Sequence, residues 1–273
     1  MSITPQTKAS RNEPIGVFDS GVGGLSVLSH IRKLLPAEDL IYVADSDHLP
    51  YGDKGADYVR ERSVAITEFL IRQGAKAIVV ACNTATAAAV STLRHAFKLP
   101  IIGMEPGLKP GITQSRNGKI AILATEGTLG SEKFQGLMNR HGNGATVLIQ
   151  PCPGWVELVE QQYPSHENPQ TIINEQLSPL LERGVDTLVL GCTHYPFLIA
   201  DIEKTVSGQA AIIDTGLAVA KQLKKRLAAE GLLNEPRHSG REQFWSSASG
   251  GKTERLISRL WGSSCKVKPL PKH

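Results

Sequence analysis

Ala77-Ile-Val-Val-Ala-Cys82-Asn-Thr-Ala-Thr86 reads as a buried strand that ends in a cysteine and passes into a helix. A near copy stands downstream, Thr187-Leu-Val-Leu-Gly-Cys192-Thr-His-Tyr-Pro196. In both, the cysteine follows a small residue at a strand end and precedes a polar residue able to cap a helix. A thiol in that position faces the crevice beyond the carboxyl ends of parallel strands, where open α/β sheets bind ligands. Helix N-termini favour thiolate over thiol and also bind carboxylates. Two such thiols predict a site with a reactive sulfur on each side of one substrate.

Working outward, Ile15-Gly-Val-Phe-Asp19 is a short strand, Ser20-Gly-Val-Gly-Gly24 a glycine loop, and Leu25, Leu28, Ile31 and Leu35 one face of a helix that Pro36 ends. The loop is an anion-friendly turn. It misses the dinucleotide fingerprint, because Ser26 stands where the third glycine belongs. Asp19 is either a helix cap or a functional acid at the strand end. A second strand, Leu40–Ala44, leads to a loop in which Tyr51 and Gly52 are ordinary turn residues or aim a hydroxyl and a backbone N–H into the crevice. Asp57–Gln73 is an amphipathic helix with Val59, Ile66, Phe69 and Leu70 inward. Leu99–Gly103 is a further strand after the Cys82 unit.

Glu105–Gly111 is rich in Pro and Gly and has the composition of a domain crossing. The pattern then restarts. Lys119–Ala124 is a strand, Thr125–Ser131 a loop, and Phe134, Leu137 and Met138 mark a helix. Ala145–Gln150 is a strand, and Trp155–Gln162 a short helix bearing Glu157 and Glu160. A helix from Pro169 to Arg183 points Ile172, Leu177 and Leu181 inward. The Cys192 strand, a helix from Pro196 to Val206 and the strand Ala210–Asp214 follow. Asp214 caps a helix over Leu217–Glu230. The interval from Ile15 to Cys82 nearly matches that from Ile120 to Cys192, so the chain reads as a duplication. Aligned on their strands, Asp19-Ser20 becomes Ala124-Thr125, and the acid is present only in the first half.

The alternation predicts an α/β fold of two doubly wound, mostly parallel-sheet domains related by pseudo-twofold symmetry. The first comprises 1–106 plus 215–273, with Gln243–Ser246 and a helix near Thr253–Leu260 returning to it; the second comprises 107–214. Facing carboxyl ends would put Cys82 and Cys192 on opposite walls of one cleft.

Composition excludes several classes. The chain has 273 residues, 41% hydrophobic and 21% charged, which suits a globular protein. No run approaches the roughly 18 apolar residues of a membrane span. Met1–Pro14 is polar and has no apolar leader core, so a cytoplasmic location is expected. A net charge of +4 is too small to imply nucleic acid. Lys221, Lys224, Lys225 and Arg226 in one helix, and Lys266, Lys268 and Lys272 in the tail, read as solvated faces. Cys82, Cys152, Cys192 and Cys265 form no CxxC pair, which argues against a disulfide framework, and no finger or HExxH spacing supports a metal. Gly250-Gly-Lys-Thr253 lacks the glycine at 246 and the preceding strand of a P-loop.

Two acid/base groups flanking one carbon can remove a proton from one face and deliver one to the other, inverting a stereocentre. The groups exchange roles on reversal, so two cysteines, one thiolate and one thiol, suit the task. The stretches DSGVGGLSVL (19–28), PYG (50–52), ACNTATA (81–87), EPGLKP (105–110) and GCTHYPFL (191–198) resemble the aspartate/glutamate racemase family, glutamate racemases in particular. The resemblance runs from Ile15 to about Trp261. It implies interconversion of L- and D-glutamate without a cofactor or metal, supplying D-glutamate for peptidoglycan. It implies Cys82 as the base for the D and Cys192 for the L enantiomer, with Asp19, Glu160 and His194 as acid/base helpers. It carries substrate contacts onto Asp19, Ser20, Tyr51, Gly52, Asn83, Thr84, Thr193 and His194. Glu157 remains an alternative to Glu160. The implied partner is a small molecule, glutamate, with neither nucleic acid nor membrane; whether the chain forms a homodimer stays open. Other readings are a sister racemase for aspartate or hydantoins, and a non-catalytic two-lobed ligand carrier. A one-cysteine decarboxylase is disfavoured by the second thiol, and a pyridoxal phosphate racemase by the lack of a Schiff-base lysine in these motifs.

Overall fold

Apolar strands of four to six residues, buried on both faces, alternate with amphipathic helices, and that pattern produces parallel sheets covered by helices. The computed structural model describes residues 10–142, 144–160, 168–248 and 250–271. Positions 161 and 162 of the expected helix, Lys272 and residues 1–9 lie outside the described residues.

The first sheet holds β1 (Ile15–Asp19), β2 (Leu40–Ala44), β3 (Ala77–Val80) and β4 (Ile101–Ile102) in the order β2-β1-β3-β4. The second holds β5 (Lys119–Ala124), β6 (Thr146–Pro151), β7 (Thr187–Leu190) and β8 (Ala211–Ile213) in the order β6-β5-β7-β8. The topology is therefore repeated. Registers make the equivalence residue by residue: Phe18 pairs with Val80 in one sheet and Leu123 with Leu190 in the other. Two residues beyond those partners stand Cys82 and Cys192. The chain then returns, and β9 (Glu242–Ser246) and β10 (Val267–Pro269) extend the first sheet on its β2 side. All these pairings are parallel.

Helices α1 (Leu25–Leu34), α2 (Ala56–Arg72), α3 (Asn83–Ala96) and α4 (Leu108–Gln114) are followed by α5 (Glu126–Leu129), α6 (Glu132–His141) and α7 (Trp155–Glu160). Then come α8 (Pro169–Glu182), α9 (Ile199–Val206), α10 (Gly216–Ala229) and α11 (Gly251–Trp261). On one face of the first sheet, Leu25, Leu28 and Ile31 of α1 join Val219, Leu223 and Leu227 of α10. On the other, Val59, Ile66, Phe69 and Leu70 of α2 meet Ala89, Val90 and Leu93 of α3. Alternation along β5 divides Ile120, Ile122 and Ala124 from Ala121 and Leu123, so both faces of the second sheet are packed too.

Several local expectations are corrected. Only Ile101 and Ile102 of the Leu99–Gly103 strand enter the ladder; Pro100 has no N–H to donate. The inward face of α8 is Ile173, Leu177 and Leu180, one step round from Ile172 and Leu181, which are half-buried. The 125–131 loop contains the short helix α5, and Tyr195–Leu198 forms a tight 3₁₀ turn ahead of α9. The strand β10 had no alternating apolar signal. The helix expected over Leu217–Glu230 begins one residue earlier, at Gly216, with Thr215 at the cap position; Asp214, the residue before it, accepts from Gly216 N at 3.1 Å.

Candidate active site

Cys82 is itself the N-cap of α3: its sulfur accepts from Ala85 N at 3.4 Å and lies 3.8 Å from Ser20 Oγ. Cys192 ends the equivalent strand, and its sulfur lies 3.7 Å from His194 Nδ1. Both line one cavity between the two sheets, together with Ser20, Tyr51, Gly52, Asn83, Thr84, Thr193 and His194. The duplication thus brings together the residues that sequence reasoning picked out. The cavity has about 20 Å³ of free space, room for about one water molecule. Admission of an amino acid requires the walls to part. A roomier depression of about 450 Å³, lined by Arg94, Gln222 and Arg226, lies elsewhere and contains neither of these cysteines.

Asp19 and Glu160 stand behind the cavity wall. Asp19 is fully buried at the end of β1 and accepts from Ser20 N at 2.7 Å, Gly24 N at 2.6 Å and, from the other half, Thr193 Oγ1 at 3.2 Å. Glu160 Oε1 lies 2.8 Å from His194 Nε2 and accepts from Val22 N at 2.7 Å. Glu160, and not Glu157, therefore meets the site. The anion-friendly glycine loop binds this internal carboxylate. Its glycines permit a close approach: a Cβ on Gly21 would stand 2.1 Å from Glu160 Oε1, and one on Gly23 would stand 2.4 Å from His194 Nδ1, so either would displace the side chain it faces.

Burial and neighbouring charges set the electrostatics of the site. Burial pushes the Cys82 thiol well above its ordinary range, and the charge of Asp19 adds to this; the Ala85 N–H and Ser20 hydroxyl pull the other way without winning. The helix N-terminus expected to favour thiolate is outweighed by desolvation. Burial also raises the Asp19 carboxyl, against the opposing charge of His194 and the bonds from Ser20, Cys82 and Gly24. For His194, burial favours the neutral ring, but hydrogen bonds to Cys192 and Glu160 outweigh it and hold the imidazole well above its usual range. Tyr51 is buried with its hydroxyl donated to Asp45 Oδ2 at 2.6 Å, and Arg62 pairs with the same carboxylate. Its hydroxyl therefore points away from the role of a free donor, while Gly52 packs against Gly127 of α5.

Sequence reasoning missed Thr125 and Thr128, which also line the cavity. Thr84 Oγ1 lies 3.1 Å from Thr125 Oγ1 and 3.2 Å from Thr128 Oγ1, so three hydroxyls converge across the two halves. The signal was the strand alignment, which matches Thr125 to Ser20. Beside them, both polar atoms of the Asn83 amide are buried without a partner among the described residues. An unmet buried amide costs about 1–3 kcal/mol, which a polar ligand would offset.

Residues 15–223 match the Asp/Glu/Hydantoin racemase family. The chain belongs to that family. A glutamate racemase of Methylococcus capsulatus is 52% identical over 94% of this chain and 95% of its own length. The crystal structure of a glutamate racemase isoform from Bacillus anthracis superposes with a TM-score of 0.86 at 32% identity, covering 96% of this chain and 98% of that one. A glutamate racemase of Escherichia coli, in complex with L-glutamate and the activator UDP-MurNAc-ala, superposes with a TM-score of 0.83 at 30% identity, covering 94% and 97%. Racemase-family membership agrees with the α/β architecture and with a cleft between two sheets. Among the described residues no helix is long and apolar enough to cross a membrane.

Proposed function

We propose that this chain is a cytoplasmic, cofactor-independent glutamate racemase that works by two-thiol proton transfer and supplies D-glutamate for peptidoglycan. The observation that carries the mechanism is that Cys82 and Cys192 occupy equivalent strand ends of a repeated topology and line one cavity. The glutamate racemases similar to it over nearly their full length support the substrate.

On this reading one sulfur, as thiolate, takes the α-proton of bound glutamate and becomes a thiol. The electron pair left on carbon delocalises into the α-carboxylate, where buried N–H and hydroxyl donors stabilise it. The opposite sulfur, a thiol, then gives its proton to the other face and becomes a thiolate. The carbon is inverted, and the two sulfurs have exchanged states. Cys192 has His194 Nδ1 at 3.7 Å as a partner for its sulfur. Cys82, whose thiol burial pushes up, depends on the arriving substrate: the ammonium group near Asp19 would offset the carboxylate charge that disfavours ionisation. Asn83 and the Thr84–Thr125–Thr128 hydroxyls are the candidate carboxylate donors.

The test is circular dichroism of L-glutamate and, separately, L-aspartate with purified protein and no added cofactor. Glutamate should lose its signal and D-glutamate should do the same in reverse, with aspartate turned over poorly. Equal turnover of aspartate would remove the glutamate assignment, and loss of activity in a chelator would remove the metal-free mechanism.

A further inference from the structure

Tyr42 is fully buried on β2, and no step of the proton transfer uses it. Its hydroxyl donates to the Gly21 carbonyl at 2.7 Å, in the middle of the glycine loop. The next residue, Val22, gives its N–H to Glu160 Oε1, the same oxygen that meets His194 Nε2, and His194 Nδ1 faces the Cys192 sulfur. A continuous set of contacts therefore runs from the first sheet, through the loop, to the sulfur of the second half. We propose that Tyr42 is a positioning residue for Cys192, acting through the glycine loop and Glu160. This rests on the reading of Cys192 as one of two bases.

Three observations converge on it. Glu160 is held by one main-chain N–H from outside its own half, so the place of that N–H fixes where the carboxylate, and hence the imidazole, can sit. The loop fits closely around both: Cβ atoms on Gly21 and Gly23 would collide with Glu160 and His194. Burial, reinforced by the charges of Asp19, Glu160 and Cys82, keeps the Tyr42 phenol protonated, so it stays a donor. Cys82 depends on this arrangement less, through Ser20 at the start of the loop alone. Its sulfur is held by Ala85 N and Ser20 Oγ. Gly24, whose N–H holds Asp19, is anchored separately, with its carbonyl accepting from Leu28 N at 2.9 Å. Because the loop belongs to one half and Glu160 to the other, the Cys192 relay is complete only while the two halves are together.

The experiment introduces Tyr42→Phe and Gly21→Ala into two backgrounds, Cys82→Ala and Cys192→Ala. Each protein is assayed for α-hydrogen exchange of the matching enantiomer in D₂O, and the remaining site cysteine for iodoacetamide alkylation by mass spectrometry. Tyr42→Phe keeps the ring packing and removes the hydroxyl alone. It should slow L-glutamate exchange and Cys192 alkylation by about 3- to 10-fold, the rate equivalent of one net hydrogen bond. D-Glutamate exchange and Cys82 alkylation should change far less. Gly21→Ala, which displaces Glu160 directly, should give the same asymmetry more strongly. Equal losses at both sulfurs, as general destabilisation would give, or no loss at Cys192, would overturn the proposal. Alkylation needs no substrate, so a selective loss at Cys192 supports the relay even if glutamate is not racemised.

Discussion

Lys76 and Glu38 form a buried ion pair beneath the strand that carries Cys82, and it offers a quantitative test of the fold. Lys76 Nζ donates to Glu38 Oε2 at 2.5 Å and also to the Arg11 carbonyl, and Glu38 Oε1 accepts from Asn234 N at 2.8 Å. The side chains are 0% and 2% exposed. The pair thus ties three segments of the first half together: the approach to β1, the turn before β2 and the chain returning after α10. Lys76→Met keeps the length of the side chain and removes the charge. Glu38 is then a buried carboxylate with one main-chain donor, a situation that costs about 3–5 kcal/mol, against about 0–1 kcal/mol for an exposed pair. Removing the second charge as well, in Lys76→Met/Glu38→Gln, should restore much of the loss, because the penalty lies in the unpaired charge. Urea unfolding can follow the halves separately, since Trp245 and Trp261 report on the first and Trp155 on the second. The transition seen by Trp245 and Trp261 should move most. A loss below about 1 kcal/mol for Lys76→Met, or a double variant weaker than the single one, would refute the reasoning.

Two further outcomes follow from the site and its surroundings. Glu160→Gln removes a charge-assisted bond to His194, worth about 1.5–3 kcal/mol, so turnover should fall roughly 10- to 150-fold; activity within about twofold of the parent would show that the imidazole needs no carboxylate. Asp214 is half-buried, and desolvation raises its carboxyl, but His30 and the N–H groups of Gly216 and Thr215 outweigh this and hold it below the ordinary range. A depressed folded value stabilises above the unfolded value, about 3.9, and that stability is lost as pH falls through the folded one. Asp214→Asn should therefore lower the urea midpoint at pH 7, with the difference from the parent narrowing below about pH 4; a constant difference would contradict the assignment.

The sequence was most legible where local chemistry and burial coincide. Strand runs such as Ala77–Val80 and Thr187–Leu190 are apolar because both faces are covered, so their ends, and with them Cys82 and Cys192, could be read directly. The strand alignment that matched Asp19-Ser20 to Ala124-Thr125 already held Thr125, but a threonine after a strand carries no signal of its own without the partner hydroxyls of Thr84 and Thr128. Tyr42 looked like any strand tyrosine; its role depends on a carbonyl in another segment. The behaviour of Cys82 was misjudged for a similar reason. A cap position is local and visible, whereas the burial that outweighs it is set by the whole cleft. Glu160 could not be separated from Glu157 by spacing, because what selects it is the Val22 N–H of the other half.

The central claim is that the two sulfurs face opposite sides of one carbon, and α-hydrogen exchange in single-cysteine variants tests it most directly. Enantiomers have equal free energy, so kcat/KM stays equal in the two directions for any variant, and directional roles must be read from exchange. Cys82→Ala should lose racemisation by several orders of magnitude yet still exchange the α-hydrogen of L-glutamate in D₂O, with retention, through Cys192. Cys192→Ala should do the same for D-glutamate through Cys82. If both variants exchange the same enantiomer, or either racemises near the parent rate, one of these cysteines is not a base and the two-thiol account is wrong.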